Sequence, residues 1–159
     1  MEALPRGIRL ALDLGSARIG VAACDREGML AYPVETVPAR PDPLPEIRRL
    51  VTEYEPVAVI IGLPLDLAGR DGPAAQAVRV RAGEIAGALS PVPVFLADER
   101  LTTATAAGRL RAAGRTVRTG RAVIDQAAAV AILEGVLDAE RGGRATFERV
   151  ATGAQEEET

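Results

Sequence analysis

Three carboxylate positions are the parts of this 159-residue chain best suited to chemistry. Asp13 stands near the end of an apolar run, and the pair Asp98-Glu99 directly follows the end of another. Asp125 begins a helical segment in which the residues three, four, seven and eight positions later are apolar, so its carboxylate faces inward. Because burying an unpaired carboxylate is costly, these groups need a cation, a hydrogen-bond network or a proton.

The composition removes most other catalytic chemistry. The sequence has no histidine and no lysine, so all 19 basic residues are arginine, and Cys24 is the single cysteine. Histidine relays, a lysine-containing phosphate loop, Schiff-base chemistry and a thiolate zinc site are therefore excluded. Carboxylates, hydroxyls, arginines and the backbone remain.

Clustered carboxylates repel one another, and a divalent cation relieves that repulsion. Ligation by oxygen alone suits Mg²⁺ or Mn²⁺. Two such ions about 3.5–4 Å apart can align the attacking water and the leaving oxygen of a phosphodiester, which favours nuclease chemistry. Successive side chains of a strand point to opposite faces, so Asp98 and Glu99 cannot both face this site, and we expect one of them to be a supporting residue.

Each carboxylate also has a purely structural interpretation. Asp13, close before Gly15, fits a turn at the end of a strand. Asp125 could simply interact with the dipole at a helix N-terminus, which stabilises negative charge, and residues 98–100 could form a solvated loop. If all three structural interpretations were correct, carboxylates without a chemical role would lie together at one edge of the sheet, where ligands usually bind. This coincidence favours the catalytic interpretation.

The elements that position these groups alternate after an initial meander. Period-two and continuous apolar runs predict strands over 8–14, 18–24, 29–37, 57–61 and 92–97, and helical spacing predicts helices over about 45–54, 73–89, 102–113 and 123–140. The fold class is therefore α/β, a mixed sheet with right-handed crossovers covered by helices. We expect one domain over 1–150 and a disordered acidic tail over 151–159.

An arginine-rich stretch without acids runs from Arg100 through Ile124, on a chain whose net charge is −3. It favours contact with a nucleic-acid backbone over a solvated arginine face, although few aromatic residues are available for base stacking. Thr102 and Thr103 are expected to cap the helix that follows, and a capped N-terminus can also receive a phosphate oxygen. Arg18, like Arg100, could hold either a phosphate or a carboxylate. The candidate nucleic-acid contacts are Arg18, Arg100, Thr102, Thr103, Arg109, Arg111, Arg115, Arg118 and Arg121.

Four motifs in this order resemble the YqgF/RuvX family of bacterial RNase H-like nucleases, over about residues 8–140. They are ALDLGSARIGVA (11–22), GLPL (62–65) with Gly69 and Gly72, DERLTT (98–103) and IDQAA (124–128). The departures from the family pattern are modest. Ala17 stands where a basic or polar residue is common, Asp66 where Asn is common, and Glu134 where Gln is common.

This resemblance implies an RNase H-like fold with five strands, three antiparallel and then two parallel. It also implies a catalytic and divalent-metal site made by Asp13, Glu99 and Asp125, which Asp98, Arg18 and Arg100 would support. The implied function is phosphodiester hydrolysis in the 5′-end processing of pre-16S rRNA, or alternatively the resolution of Holliday junctions in branched DNA. A junction resolvase should be a homodimer, whereas an RNA-trimming enzyme could act as a monomer.

Two other classes compete with this hypothesis. Actin-like and sugar-kinase ATPases also begin with an Asp-x-Gly loop, but they need a second lobe that 159 residues cannot supply. A non-catalytic RNase H-like module that docks on ribosomal or transcription machinery would tolerate loss of the acids. No apolar run reaches the length of a membrane helix and the first residues lack the apolar stretch of a signal peptide, so we expect a cytoplasmic protein without membrane contact.

Overall fold

The chain folds around one mixed sheet. A computed structural model describes residues 1–102, 121–143 and 145–152, with the backbone alone for 101, 102 and 121–123. The order across the sheet is β3-β2-β1-β4-β5-β6, in which β1 pairs in parallel with β4 and β4 with β5, while the other pairs are antiparallel. The strands are β1 (Arg9–Leu14), β2 (Arg18–Cys24), β3 (Ala31–Pro38), β4 (Ala58–Leu63), β5 (Val94–Asp98) and β6 (Glu148–Arg149).

Helices cover both faces of the sheet. α1 (Leu44–Tyr54) and α2 (Pro73–Leu89) pack on one face, and α3 (Arg121–Arg141) packs on the other. A 3₁₀ helix, Glu99–Thr102, directly follows β5. In the part of the chain that the structure describes, no helix is both long enough and apolar enough to cross a membrane.

The alternation within β1 divides its side chains between two hydrophobic cores. Leu10 and Leu12 belong to the core beneath α1 and α2, whereas Ala11 belongs to the core beneath α3. Asp13 follows Ala11 by two residues and therefore points toward the α3 face. Every residue of β4 is buried, as its continuous apolar run predicts for a strand covered on both faces.

The predicted mixed α/β sheet is confirmed, with six strands where the sequence predicted five. β6 pairs with the edge of β5, opposite Phe95 and Leu96. A strand of two residues is too short for a period-two pattern to mark it. The helix predicted over 73–89 coincides with α2, whereas the helix predicted over 102–113 lies outside the described residues except for residue 102. Residues 153–159 of the predicted tail also lie outside them.

The N-terminal part of α3 lies directly on β2 because Gly20 has no side chain. A Cβ at this position would be 2.0 Å from the backbone oxygen of Asp125 and 2.4 Å from its carbonyl carbon. Backbone atoms cannot rotate away as a flexible side chain can. Any residue larger than glycine at position 20 therefore displaces the start of α3.

Gly20→Ala is expected to destabilise the protein by about 1–3 kcal/mol, because overpacking a well-filled interface carries that cost. The matched control is Gly87→Ala in α2, where an added Cβ meets nothing within 4 Å. That control should stabilise the protein by about 0.5–1 kcal/mol through helix propensity. Urea denaturation of the two variants measures both changes, and wild-type stability of Gly20→Ala would show that α3 does not rest on β2 at this point.

Candidate active site

Asp13 lies between two neighbours that have no side chains. Its cross-strand partner on β2 is Gly20. On the other side, Leu12 is paired with Ile61 of β4, so Gly62 is the β4 residue next to Asp13. The sheet therefore leaves room beside Asp13, on the face that α3 covers, for groups from other elements.

Asp125 reaches this space from the first turns of α3. Its backbone carbonyl lies over Gly20, and its Oδ2 accepts a hydrogen bond of 2.7 Å from Nε of Arg18. The two side chains are 21% and 36% exposed, so the ion pair stands at the rim of the site. Arg18 thus binds a carboxylate in this structure, which is one of the two roles that its position in the sequence allowed.

Glu99 reaches the same space from the 3₁₀ helix after β5. A Cβ at Gly62 would be 2.7 Å from Oε1 of Glu99 and 2.6 Å from Cδ1 of Ile132, so the absence of a side chain at residue 62 makes room for both. Asp98 points elsewhere, and its carboxylate accepts hydrogen bonds of 2.5–3.0 Å from the side chain of Arg100. Glu99 is therefore the member of this pair that extends toward Asp13.

Arg100 connects the β5 end to the loop between β4 and α2. Besides binding Asp98, its NH1 donates to the Leu67 carbonyl at 3.4 Å. A Cβ at Gly69, whose φ is +81°, would be 3.0 Å from the same guanidinium. Arg100 thus holds this loop against the end of β5.

The environment of the site raises the pKa of two of its carboxyl groups, those of Asp13 and Glu99. Burial raises the pKa of Asp13, and the negative charge of Asp125 raises it further. Burial raises the pKa of Glu99 to about 7, with added repulsion from Asp13 and Asp98. Asp13 is thus electrostatically coupled to Asp125 and to Glu99, as expected when acidic groups are desolvated close to one another.

These carboxylates have the donor chemistry of a hard divalent cation. Their oxygens suit Mg²⁺ or Mn²⁺, and a cation would offset the burial and the repulsion that raise the pKa of Asp13 and Glu99. Within residues 1–102, 121–143 and 145–152, however, no three acidic or cysteine side chains stand close enough to hold an ion as they are placed. Asp125 is instead bound to Arg18 in this arrangement.

Several predicted nucleic-acid contacts cannot be assigned to a place in the site. The backbone of Thr102 ends the 3₁₀ helix and that of Arg121 begins α3, but their side chains are not described. The proposed capping by threonine therefore stays a prediction. The remaining candidates fall outside the described residues: Thr103, Arg109, Arg111, Arg115 and Arg118.

Arg81 is a residue of the site region that the sequence did not single out. From α2, its NH1 donates a 3.0 Å hydrogen bond to the carbonyl of Gly15, in the turn between Asp13 and Arg18. The Ala39 amide donates to the Ala17 carbonyl of the same turn at 3.0 Å. An arginine on an amphipathic helix carries no signal of such a contact, whereas glycine inside a predicted strand, as at position 20, does indicate a close approach.

The raised pKa of Glu99 predicts a pH-dependent stability of the metal-free protein. Because the fold favours protonated Glu99, its contribution is fully present below the unfolded pKa of 4.5 and is lost as the pH rises through about 7. Glu99→Gln removes this loss. Relative to wild type, the free energy of unfolding of the variant should rise by about 1–2 kcal/mol between pH 5 and pH 8, allowing for solvent screening.

Denaturant titrations in the presence of a chelator measure this difference. Glu84→Gln, which removes an exposed carboxylate on α2, is the matched control for the loss of a negative charge. A difference between Glu99→Gln and wild type that stays constant from pH 5 to pH 8 would contradict the predicted burial of this carboxyl group.

Comparison with known proteins confirms the resemblance seen in the motifs. A family model described as "RuvX: Holliday junction resolvase" matches residues 7–139. A protein of Streptomyces avermitilis is 55% identical over 148 residues, covering 91% of this chain and 95% of the relative. A protein of Cutibacterium acnes is 54% identical over 138 residues, covering 87% and 86%. Both relatives are named "Putative pre-16S rRNA nuclease".

The fold also resembles that of a solved structure. Thermus thermophilus RuvC in complex with a Holliday junction substrate superposes with a TM-score of 0.58, covering 91% of this chain and 99% of RuvC. At 18% identity this likeness shows the fold alone, which is the predicted RNase H-like architecture. With a family model spanning most of its length and close relatives of matching extent, the chain belongs to the RuvX/YqgF family of nucleases.

Proposed function

We propose that this protein is a divalent-metal-dependent nuclease that hydrolyses phosphodiester bonds at the 5′ end of pre-16S rRNA. The observation that carries the proposal is the placement of Asp13 between Gly20 and Gly62, with Asp125 and Glu99 electrostatically coupled to it. The substrate is taken from the names of relatives that are 54–55% identical over most of their length.

In this proposal Asp13, Glu99 and Asp125 hold the metal, which when bound activates water and stabilises charge on the phosphate. Arg18 keeps the Asp125 carboxylate at the rim of the site through their 2.7 Å ion pair. Arg100 fixes the end of β5, and with it Glu99, by binding Asp98 and the Leu67 carbonyl. The arginines of residues 109–121 would contact the nucleic-acid backbone.

Holliday junction cleavage is the alternative, and the description of the matching family model favours it. The two functions differ in the assembly that they require. Cleavage of two symmetric strands needs a homodimer, whereas trimming of an RNA end needs a single copy. Activity and oligomeric state together therefore distinguish them.

A cleavage assay that compares a pre-16S rRNA 5′ segment, a four-way DNA junction and duplex DNA, with Mg²⁺ or Mn²⁺, tests the substrate. We expect cleavage of the RNA, with Mn²⁺ at least as effective as Mg²⁺ because it is less demanding of ligand geometry. Sedimentation of the same samples reports the oligomeric state. Cleavage of the junction alone, by a dimer, would overturn the RNA assignment and support the alternative.

Asp13→Asn, Glu99→Gln and Asp125→Asn should each lower the rate of cleavage by more than about 100-fold, the upper range seen for loss of a residue that only supports a metal ligand. The folded state should persist, since each change keeps the size of the side chain. Glu84→Gln controls for the loss of one negative charge. A triple variant that still cleaves after careful purification would exclude the proposed mechanism.

Arg81→Ala should lower kcat about tenfold with little change in KM, because small displacements of reacting groups are costly and Arg81 holds the turn that links Asp13 to Arg18. Arg81→Lys keeps a donor and should recover part of the rate. Arg48→Ala, on the exposed surface of α1, is the matched control. Equal kcat in Arg81→Ala and wild type, with both folded, would exclude this positioning role.

A further inference from the structure

A cavity of about 330 Å³ lies at the end of the molecule opposite the carboxylates. It forms where the N-terminal segment, the turn between β2 and β3 and the last turn of α3 meet, and four arginines line it: Arg6, Arg9, Arg26 and Arg141. We call it the arginine cavity. Since Arg9 begins β1 and Asp13 lies near its end, the two sites are about 13 Å apart along that strand. Along α3, Asp125 and Arg141 are about 24 Å apart.

One wall of the arginine cavity is rigid. Arg9 is only 3% exposed, and its NH1 and NH2 donate to the two carboxylate oxygens of Glu140 at 2.6 and 2.9 Å. Its Nε and NH2 also donate to the carbonyl of Pro5 at 3.0 and 2.8 Å. The charge of Arg9 is therefore balanced by Glu140, and the pair fixes the shape of the wall.

The other arginines give the cavity an excess of positive charge. Arg6 and Arg26 make no hydrogen bond or ion pair with any residue that the structure describes. Arg141 binds Asp138 at 2.6 Å and the Met29 carbonyl at 3.1 Å, so its guanidinium joins the last turn of α3 to the turn between β2 and β3. With these pairs accounted for, Arg6 and Arg26 stand against one acidic wall residue, the exposed Glu27.

Asp25, at the edge of the same turn, does not compensate the two arginines. Its Oδ1 accepts hydrogen bonds from the backbone amides of Leu30 and Met29, at 2.9 and 2.7 Å. These hydrogen bonds lower the pKa of the Asp25 carboxyl. The Asp25 carboxylate thus binds the backbone of its own turn and neither Arg6 nor Arg26. Counting only residues 1–102, 121–143 and 145–152, the wall retains two guanidiniums with unbound donors, those of Arg6 and Arg26, on a chain whose net charge is −3.

We propose that the arginine cavity is a second binding site, which takes the phosphate group of a nucleotide-sized ligand. Guanidinium donors match the geometry of phosphate oxygens and can bind them in a bidentate manner. The volume lies at the lower end of the range for small-molecule sites, and the exposed side chain of Met29 offers an apolar surface for a base. The phosphate could belong to a free nucleotide or to the terminal nucleotide of a nucleic acid, since both present the same group.

Titration calorimetry of the full chain, in a chelator that suppresses binding at the carboxylate site, tests this inference. The probes are pyrophosphate, the four nucleoside 5′-monophosphates and a short oligoribonucleotide with either a 5′-phosphate or a 5′-hydroxyl. The double variant Arg6→Gln, Arg26→Gln removes the two available guanidiniums from exposed positions, so it should fold as wild type does. Arg48→Gln with Arg70→Gln, on exposed surface elsewhere, is the matched control for charge.

We expect at least one phosphate-bearing probe to bind the wild type and the control pair equally, and to bind the double variant at least about tenfold more weakly. Monophosphate binding would identify a free nucleotide as the ligand, and binding of the 5′-phosphorylated oligonucleotide alone would identify a nucleic-acid end. Absence of binding by every probe, or equal binding by the double variant and wild type, would overturn the inference. Because cleavage is not the readout, failure here would leave the proposed nuclease function untouched.

Discussion

The close approach of α3 and of Glu99 to the β1–β2–β4 part of the sheet is the constraint on which the site depends. Gly20 and Gly62 permit that approach because each lacks a Cβ, at positions where one would stand 2.0 Å from the Asp125 carbonyl oxygen and 2.7 Å from Glu99 Oε1. The result is electrostatically unfavourable, since the pKa of Glu99 rises to about 7. One pKa unit corresponds to about 1.4 kcal/mol before solvent screening is allowed for.

Hydrophobic burial outweighs that cost. Four large side chains of α3, Ile132, Leu133, Val136 and Leu137, are at most 3% exposed. Each contributes about 1.5–3 kcal/mol relative to an exposed position. The core thus holds the carboxylates together although they repel one another. Acids that packing buries and keeps on one part of the sheet are suited to bind a divalent cation, because a cation that drew them together would offset both their burial and their repulsion.

The sequence was informative where local periodicity determines structure. The alternation of β1 places Asp13 on the α3 face. The same rule predicted that Asp98 and Glu99 point different ways, and they do, although Glu99 lies in the 3₁₀ helix after β5. The sequence could not show that Arg18 is bound to Asp125, since the two residues are 107 positions apart and both candidate roles suit an arginine. The arginine cavity was invisible for the same reason, because its lining comes from three separate segments. Contacts of this kind follow from tertiary packing, which no local pattern encodes.

Two ion pairs join α3 to the sheet, in addition to the packing of its buried apolar face. Near its start Asp125 is bound by Arg18 of β2, and near its end Glu140 is bound through both oxygens by the buried Arg9 of β1.

A shift of α3 by one residue along its axis, about 1.5 Å, would break both pairs and leave Arg9 as an uncompensated buried charge. Ion pairs that contribute little net stability can still fix the register between two elements, because every alternative register loses them. The ion pairs at the two ends of α3 therefore both favour the axial position in which the backbone of Asp125 lies over Gly20. Glu140, which pairs with Arg9, and Asp125 of the carboxylate site lie on the same helix, so the positions of both depend on how that helix lies on the sheet.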